Sequence, residues 1–264
     1  MNKILITGAA GGLGKVLRAS LAGYAPVLRL SDMADLGTAE AGEEIAPCNL
    51  ADAEAVMKLV EGCDYIVHLG GKSNEGTFEE ILQSNIRGTY NVFEAARKMG
   101  KPRILFASSN HATGFYRREE RLDGAAPLRP DTLYGVSKCF GETLASLYYD
   151  KFGVESVCVR IGSCFPEPMD RRMLATWLSP ADLVRLVKRV AEAPRVSHTI
   201  VYAASNNHEQ WWDNSHAAFL GWVPQDSAER FREKIEAECP REDPQDIAVR
   251  YQGGAFAAAG HFED

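Results

Sequence analysis

Short apolar runs alternate along this chain with longer stretches whose apolar residues recur every three or four positions, the pattern of βαβ units around a parallel sheet. Strands are predicted over residues 3–7, 27–31, 44–47, 65–69, 103–107, 155–161 and 198–202. Helices are predicted over 12–22, 53–60, 78–99, 133–152 and 180–193. Asp52 and Ser179 stand where N-caps belong, the latter followed by Pro180 at the first helical position. This order predicts an α/β fold with a doubly wound parallel sheet of Rossmann type over residues 1–160, to which the strand near 198–202 returns. Beyond Ile161, prolines punctuate short segments, and all of Trp177, Trp211, Trp212 and Trp222 fall there. A small C-terminal substrate-binding lobe and tail is therefore expected over 161–264, covering the ligand edge of the sheet.

Composition narrows the partner. With 264 residues, 45% of them hydrophobic and 25% charged, the chain is long enough for one sizeable core and is neither disordered nor fibrous. The net charge of -7, with no basic run longer than Arg117-Arg118, argues against nucleic acid or an anionic membrane as the main partner. A small molecule is expected instead. The first residues run straight into a glycine-rich turn, leaving no room for a signal peptide, and no stretch of about 18 apolar residues occurs. A cytoplasmic protein is the expectation. The six cysteines form no C-x-x-C pair, so reduced thiols are expected, with no disulfide framework and no metal.

Three constellations carry chemistry. Gly8-Ala9-Ala10-Gly11-Gly12-Leu13-Gly14 joins a predicted strand to a predicted helix. Gly8 permits a tight turn, Gly11 close approach to a pyrophosphate, and Gly14 close helix–strand packing, while the helix N-terminus attracts phosphate. Asp32, eighteen residues after Gly14 at the end of the second strand, would accept from both adenosine ribose hydroxyls and repel a 2′-phosphate, which favours NAD over NADP. Arg29, three positions earlier on the same strand, points to the opposite face. On a long helix, Tyr134 and Lys138 are one turn apart. A tyrosine pKa near ~10 must fall by roughly three, worth about 4 kcal/mol, for base work at neutral pH, and neighbouring positive charge is what lowers it. Lys138 and an oxidised nicotinamide both contribute such charge. Finally, Ser109-Asn110-His111 ends an apolar strand, where open α/β sheets bind ligands, and Ser109 precedes Tyr134 by 25 residues. Taken singly, these residues have plainer readings: Asp32 as a solvated acid, Tyr134 as a packing ring, His111 as a loop filler.

Together, the glycine turn, Asp32, His68-Leu69-Gly70-Gly71, Asn85 in Asn-Ile-Arg-Gly-Thr, Ser109 and Tyr134-x-x-x-Lys138 resemble the extended short-chain dehydrogenase/reductases. Less widely shared segments resemble the bacterial uronate dehydrogenases. These are Gly70-Gly71 with Ser73, Phe106 to His111, Tyr134 to Glu142, Arg160-Ile161-Gly162-Ser163-Cys164, Arg172-Met173-Leu174, Trp211-Trp212-Asp213-Asn214 and Tyr251-Gln252-Gly253-Gly254. The likeness runs nearly end to end.

The resemblance implies NAD-dependent oxidation of a hexuronic acid, D-glucuronate or D-galacturonate, at C1 to an aldaric acid lactone. Tyr134 would be the base, Lys138 would lower its pKa and hold the nicotinamide ribose, and Ser109 would bind the reacting oxygen. Arg172 would clamp the carboxylate, a task suited to a planar bidentate donor, although a solvated pair with Arg171 is its plainer reading. Ser73, Asn110, His111 and Ser163 would contact the sugar. Gly12, Leu13, Asn49, Leu50, Leu69, Gly70, Gly71, Asn85, Ile161 and Cys164 would line the cofactor. Two positions depart from the family: Asn49, where relatives carry Asp against the adenine amino group, and Lys72, where an apolar residue is usual. An amide oxygen at Asn49 still accepts that bond. A homo-oligomer is implied through helices 78–99 and 133–152. Another sugar dehydrogenase or a sugar epimerase on the same scaffold is the alternative, and a silent NAD-binding regulator a more remote one.

Overall fold

The computed structural model describes residues 1–262; Glu263 and Asp264, the end of the expected tail, lie outside the described residues. A seven-stranded sheet carries the fold. In chain order the elements are β1 (Lys3–Thr7), α1 (Gly12–Ser20), β2 (Val27–Ser31), β3 (Glu43–Ile45), α2 (Ala53–Val60), β4 (Tyr65–His68), α3 (Phe78–Ile81), α4 (Gly88–Lys98) and β5 (Arg103–Ser109). They continue with α5 (Leu133–Phe152), β6 (Ser156–Ile161), β7 (Ser163–Cys164), α6 (Met173–Thr176), β8 (Trp177–Leu178), α7 (Pro180–Glu192), β9 (His198–Ala203) and α8 (Arg232–Glu238). The sheet order β3-β2-β1-β4-β5-β6-β9 reverses direction beside β1, as a doubly wound sheet must. The pairs from β3 through β5 are all parallel. Within them Thr7 pairs with Ser31 on one side and His68 on the other. The residues that follow, Gly8, Asp32 and Leu69, thus leave the sheet at one edge.

By backbone packing the chain forms two compact units. The first comprises Met1–Ala107, Phe140–Cys158 and Pro194–His198; the second comprises Ser108–Cys139, Val159–Ala193 and the described residues from Thr199 onward. Strand residues Ile4, Leu5, Ile6, Ile66, Val67, Ile104 and Leu105 are fully buried in the first. Each such side chain contributes about 1.5–3 kcal/mol on leaving water. Phe93 meets Phe106 and Tyr148 edge-on at 6.4 and 5.7 Å. In the second unit the tryptophans separate. Trp177 packs with Met173, Leu174 and Ile235, whereas Trp212 stacks on Tyr202 at 5.0 Å beside Tyr116 and Leu122.

Expected element bounds hold to within a few residues, and two differences have physical causes. Both N-caps are present: Asp52 accepts from the amides of Glu54 and Ala55, and Ser179 from that of Asp182. The strand predicted at 44–47 runs instead from Glu43 to Ile45, since Pro47 has no N–H to add to the ladder. The helix predicted over 78–99 is interrupted by a π-helical segment, Leu82–Arg87, between α3 and α4. There Asn85 turns its amide onto the 72 peptide group, accepting from Lys72 N at 2.7 Å and donating to Lys72 O at 3.0 Å. Cys164 belongs to the short strand β7, paired with β8.

Candidate active site

The first unit holds a glycine turn with the geometry of a dinucleotide cradle. Gly8 has φ +72°, and a Cβ there would stand 2.8 Å from Gly70 N; one on Gly14 would stand 2.3 Å from Gly8 O. Side chains at either position would fill the turn or force α1 off the sheet. Gly11 is the N-cap of α1 without a side-chain cap, so the first amides of the helix are left for an anion. Asp32 sits beside this turn: its Oδ2 accepts from Ala10 N at 3.0 Å and its Oδ1 from Ala34 N at 3.1 Å. Arg29 is engaged elsewhere, with Glu44 at 2.7 Å and Leu59 O at 2.7 Å. These residues fit a dinucleotide whose ribose is unphosphorylated.

Around the cradle, bracing contacts account for several expected residues. Gly70 N donates to Thr7 Oγ1 at 3.1 Å, and Thr7 Oγ1 bonds His68 Nδ1 at 2.8 Å. Asn85 fixes the loop that follows Gly71. The Asn49 amide oxygen accepts from Ala51 N at 3.0 Å, so one of its two lone pairs shapes its own turn. Ser73 donates to Asn74 at 3.3 Å, and the unusual Lys72 forms an exposed ion pair with Glu80 at 2.8 Å.

The second unit gathers Ser109, Asn110, His111, Tyr134, Lys138, Ser163 and Arg172. Ser109, at the end of β5, caps the short 3-10 turn Asn110–Thr113 by accepting from His111 N. Its hydroxyl also hydrogen-bonds the Tyr134 phenol. Thr132 caps the start of α5 by accepting from Gly135 N at 3.0 Å. Gly135 lies where a Cβ would come within 2.5 Å of His111 O, so the helix presses Tyr134 against the β5 terminus. Burial pushes the Tyr134 phenol up to about 12, against the Ser109 hydrogen bond that lowers it; the Asp131 carboxylate raises it further. Burial likewise pushes the Lys138 ammonium down to about 8. Lys138 Nζ lies 5.3 Å from the Tyr134 ring centroid.

Arg172 is half-buried among neutral oxygens. Its Nε donates to Gln252 O at 2.8 Å and its Nη1 to Ser163 Oγ at 3.2 Å. With the Asn110 amide nitrogen donating to Ile161 O at 3.1 Å, the amide oxygen accepts from Arg172 Nη2 at 2.8 Å. Among the described residues no carboxylate is paired with this guanidinium, and burial pushes its pKa down to about 10. A half-buried cation with no carboxylate partner among these residues, held in fixed geometry, is suited to an anion. Arg171, by contrast, donates to the carbonyls of Glu236, Cys239 and Pro240, so the two neighbours do not form a solvated pair. Burial raises the Cys164 thiol to about 12, which leaves it an apolar filler.

Three residues beyond the expected set shape this unit. Gln252 is fully buried; its side chain accepts from Trp212 Nε1 at 2.8 Å and donates to Arg117 O and Glu120 O. Phe256 packs edge-on against His111 at 4.1 Å. Asp131 bonds His111 Nδ1 at 2.8 Å. Gln252 lies in a segment that carried the family likeness, whereas nothing in the local pattern around Asp131 links it to His111.

Residues 4–218 match the NAD dependent epimerase/dehydratase family. A uronate dehydrogenase of Pseudomonas putida is 58% identical over 262 residues, covering 99% of this chain and 97% of that protein. The crystal structure of a glucuronic acid dehydrogenase from Chromohalobacter salexigens superposes with TM-score 0.98 at 60% identity, over 100% of this chain and 99% of the other. A tyrosine-to-alanine variant of the Agrobacterium tumefaciens uronate dehydrogenase, complexed with NAD, gives 0.97 at 55% identity over 99% of both. The chain belongs to the NAD dependent epimerase/dehydratase family, and within it stands beside the uronate dehydrogenases.

Proposed function

We infer that this protein catalyses the NAD-dependent oxidation of a hexuronic acid, D-glucuronate or D-galacturonate, at C1 to the aldaric acid lactone. The observation that carries the sugar acid is Arg172: a half-buried guanidinium hydrogen-bonded to neutral oxygens calls for an anionic ligand. A carboxylate also meets its planar geometry. Asn110, Ser163, His111 and Ser73 would complete the sugar contacts.

Bound NAD supplies the hydride acceptor and a nearby positive charge. Gly8, Gly11, Gly12, Leu13 and Gly14 would hold its pyrophosphate, Asp32 the adenosine ribose, Asn49 and Leu50 the adenine. Leu69, Gly70, Gly71, Asn85, Ile161 and Cys164 would line the remainder. Ser109 orients the anomeric hydroxyl and Tyr134 takes its proton as the C1 hydrogen leaves with its electron pair. The lactone carbonyl forms, NADH results, and the proton passes from Tyr134 to solvent. Burial works against a phenolate at Tyr134, so the positive charge of Lys138 and of the oxidised nicotinamide must lower its pKa.

The test is Tyr134→Phe. Turnover of glucuronate or galacturonate is expected to vanish while NAD binding persists. Loss of NAD binding with the fold intact would show instead that Tyr134 serves the cofactor site alone. We further propose a cytoplasmic homo-oligomer; among the described residues no helix is long and apolar enough to cross a membrane. Tyr90 on α4 and Val136 and Leu147 on α5 are nearly half exposed, and such apolar helix faces suit a subunit contact.

A further inference from the structure

We propose that Asp131 is a positioning residue that locks His111 in one tautomer, with the proton on Nδ1, so that Nε2 meets the substrate as a hydrogen-bond acceptor. The proposal rests on the uronate reading for the substrate. Its structural basis does not. Asp131 has no exposed side-chain surface, and its Oδ2 lies 2.8 Å from His111 Nδ1. A carboxylate only accepts, so the bonded ring nitrogen carries the hydrogen. The other oxygen, Oδ1, accepts from Thr132 Oγ1 at 3.1 Å, which fixes the plane of the carboxyl group.

Steric evidence shows that the slot is built for this group. A Cβ on Gly114 would stand 1.9 Å from Asp131 Oδ2, and one on Gly253 would stand at the same distance. The two glycines are themselves joined, Gly253 N donating to Gly114 O at 2.9 Å. Gly114 closes the turn that bears His111, so the carboxylate fits only because two separate segments lack side chains there. The ring is held on its remaining sides by Phe256, at 4.1 Å, and Tyr134, at 5.9 Å. With Nδ1 committed, Nε2 is the nitrogen His111 offers a sugar hydroxyl. An Nε2 acceptor selects an O–H donor, whereas an Nε2–H would turn a donor toward it.

Asp131→Asn tests this with almost no change in shape. The amide oxygen keeps the Thr132 bond, which turns the amide N–H toward His111 Nδ1 and moves the ring proton to Nε2. Ring-nitrogen NMR on the whole protein, with one of its six histidines identified through a His111→Asn variant, reads the tautomer without substrate. In the wild type, protonated Nδ1 and unprotonated Nε2 are expected at His111; in Asp131→Asn, the reverse. The uronate kcat/KM should then fall about 10- to 100-fold, chiefly in KM, with NAD affinity unchanged.

A wild-type His111 protonated on Nε2 would overturn the assignment, as would a switched tautomer with unaltered kinetics. Should the variant fail to fold, the wild-type spectrum decides by itself. If no uronate is oxidised by the wild type, the functional reading fails while the tautomer measurement still stands or falls on its own.

Discussion

Arg172 Nε donates to the main-chain oxygen of Gln252 at 2.8 Å, and Gln252 is in turn locked by Trp212 and by the carbonyls of Arg117 and Glu120. The guanidinium is therefore oriented through the main chain of a residue whose side-chain polar atoms are held elsewhere. Replacing Arg172 by Ala should raise the uronate KM by roughly 30-fold or more, about 2 kcal/mol or above, and leave NAD affinity unchanged. Arg172→Lys keeps the charge but loses the fixed fork, and should recover little of the loss. Steady-state kinetics on both variants, beside NAD binding, check the assignment. Unchanged kinetics would remove Arg172 from the site.

Lys138 carries a second expectation, in stability. Its pKa falls from the ordinary lysine value to about 8 because the charge is buried, so the folded state releases its proton before the unfolded one. Below about pH 8 both states are protonated and the full cost of burying the charge is present. As pH rises from there toward the unfolded lysine value, that cost fades and this group's contribution to stability rises. Lys138→Met should therefore gain about 1–3 kcal/mol near pH 7, shrinking toward pH 10, while activity is lost. Denaturant melts of both proteins at several pH values give the comparison.

The glycine turn gives a third. A Cβ on Gly14 would come within 2.3 Å of Gly8 O and 2.6 Å of Ala9 Cα, all backbone that cannot swing aside. Gly14→Ala should cost about 1–3 kcal/mol in stability and weaken NAD binding more than any change at Gly12, where a Cβ meets nothing. Thermal melting and NAD titration of the pair of variants measure both effects.

Asp32 gives the last. Its two oxygens are held by the amides of Ala10 and Ala34, so the carboxylate is fixed as well as charged. Asp32→Ala should weaken NAD by about 1–3 kcal/mol and narrow its advantage over NADP, since the repulsion of a 2′-phosphate goes with the charge. Dissociation constants for both nucleotides decide it.

What could be read from the sequence follows from how local each signal is. Strands and helices announce themselves through periodicity over five or more residues, and the Asp52 and Ser179 caps through their place before an apolar run. The strands β7 and β8, two residues each, are too short for any period to show. The π segment at Leu82–Arg87 keeps helical periodicity on both sides and depends on Asn85 reaching the 72 peptide, a contact thirteen residues back. Asp131 was invisible for a similar reason. Its partner lies twenty residues away and its slot is cut by Gly253, more than a hundred residues further on. Residues such as Tyr134 and Lys138, spaced by one helical turn, need no such long-range information.

This protein oxidises a free hexuronic acid with NAD. A panel of glucuronate, galacturonate, glucose and a UDP-linked uronate, each supplied with NAD and followed by NADH absorbance, tests it most directly. NADH should form with the free uronates, and glucose, which has no carboxylate for Arg172, should be a poor substrate. Reaction with the nucleotide-linked sugar and none with the free acids would contradict the account.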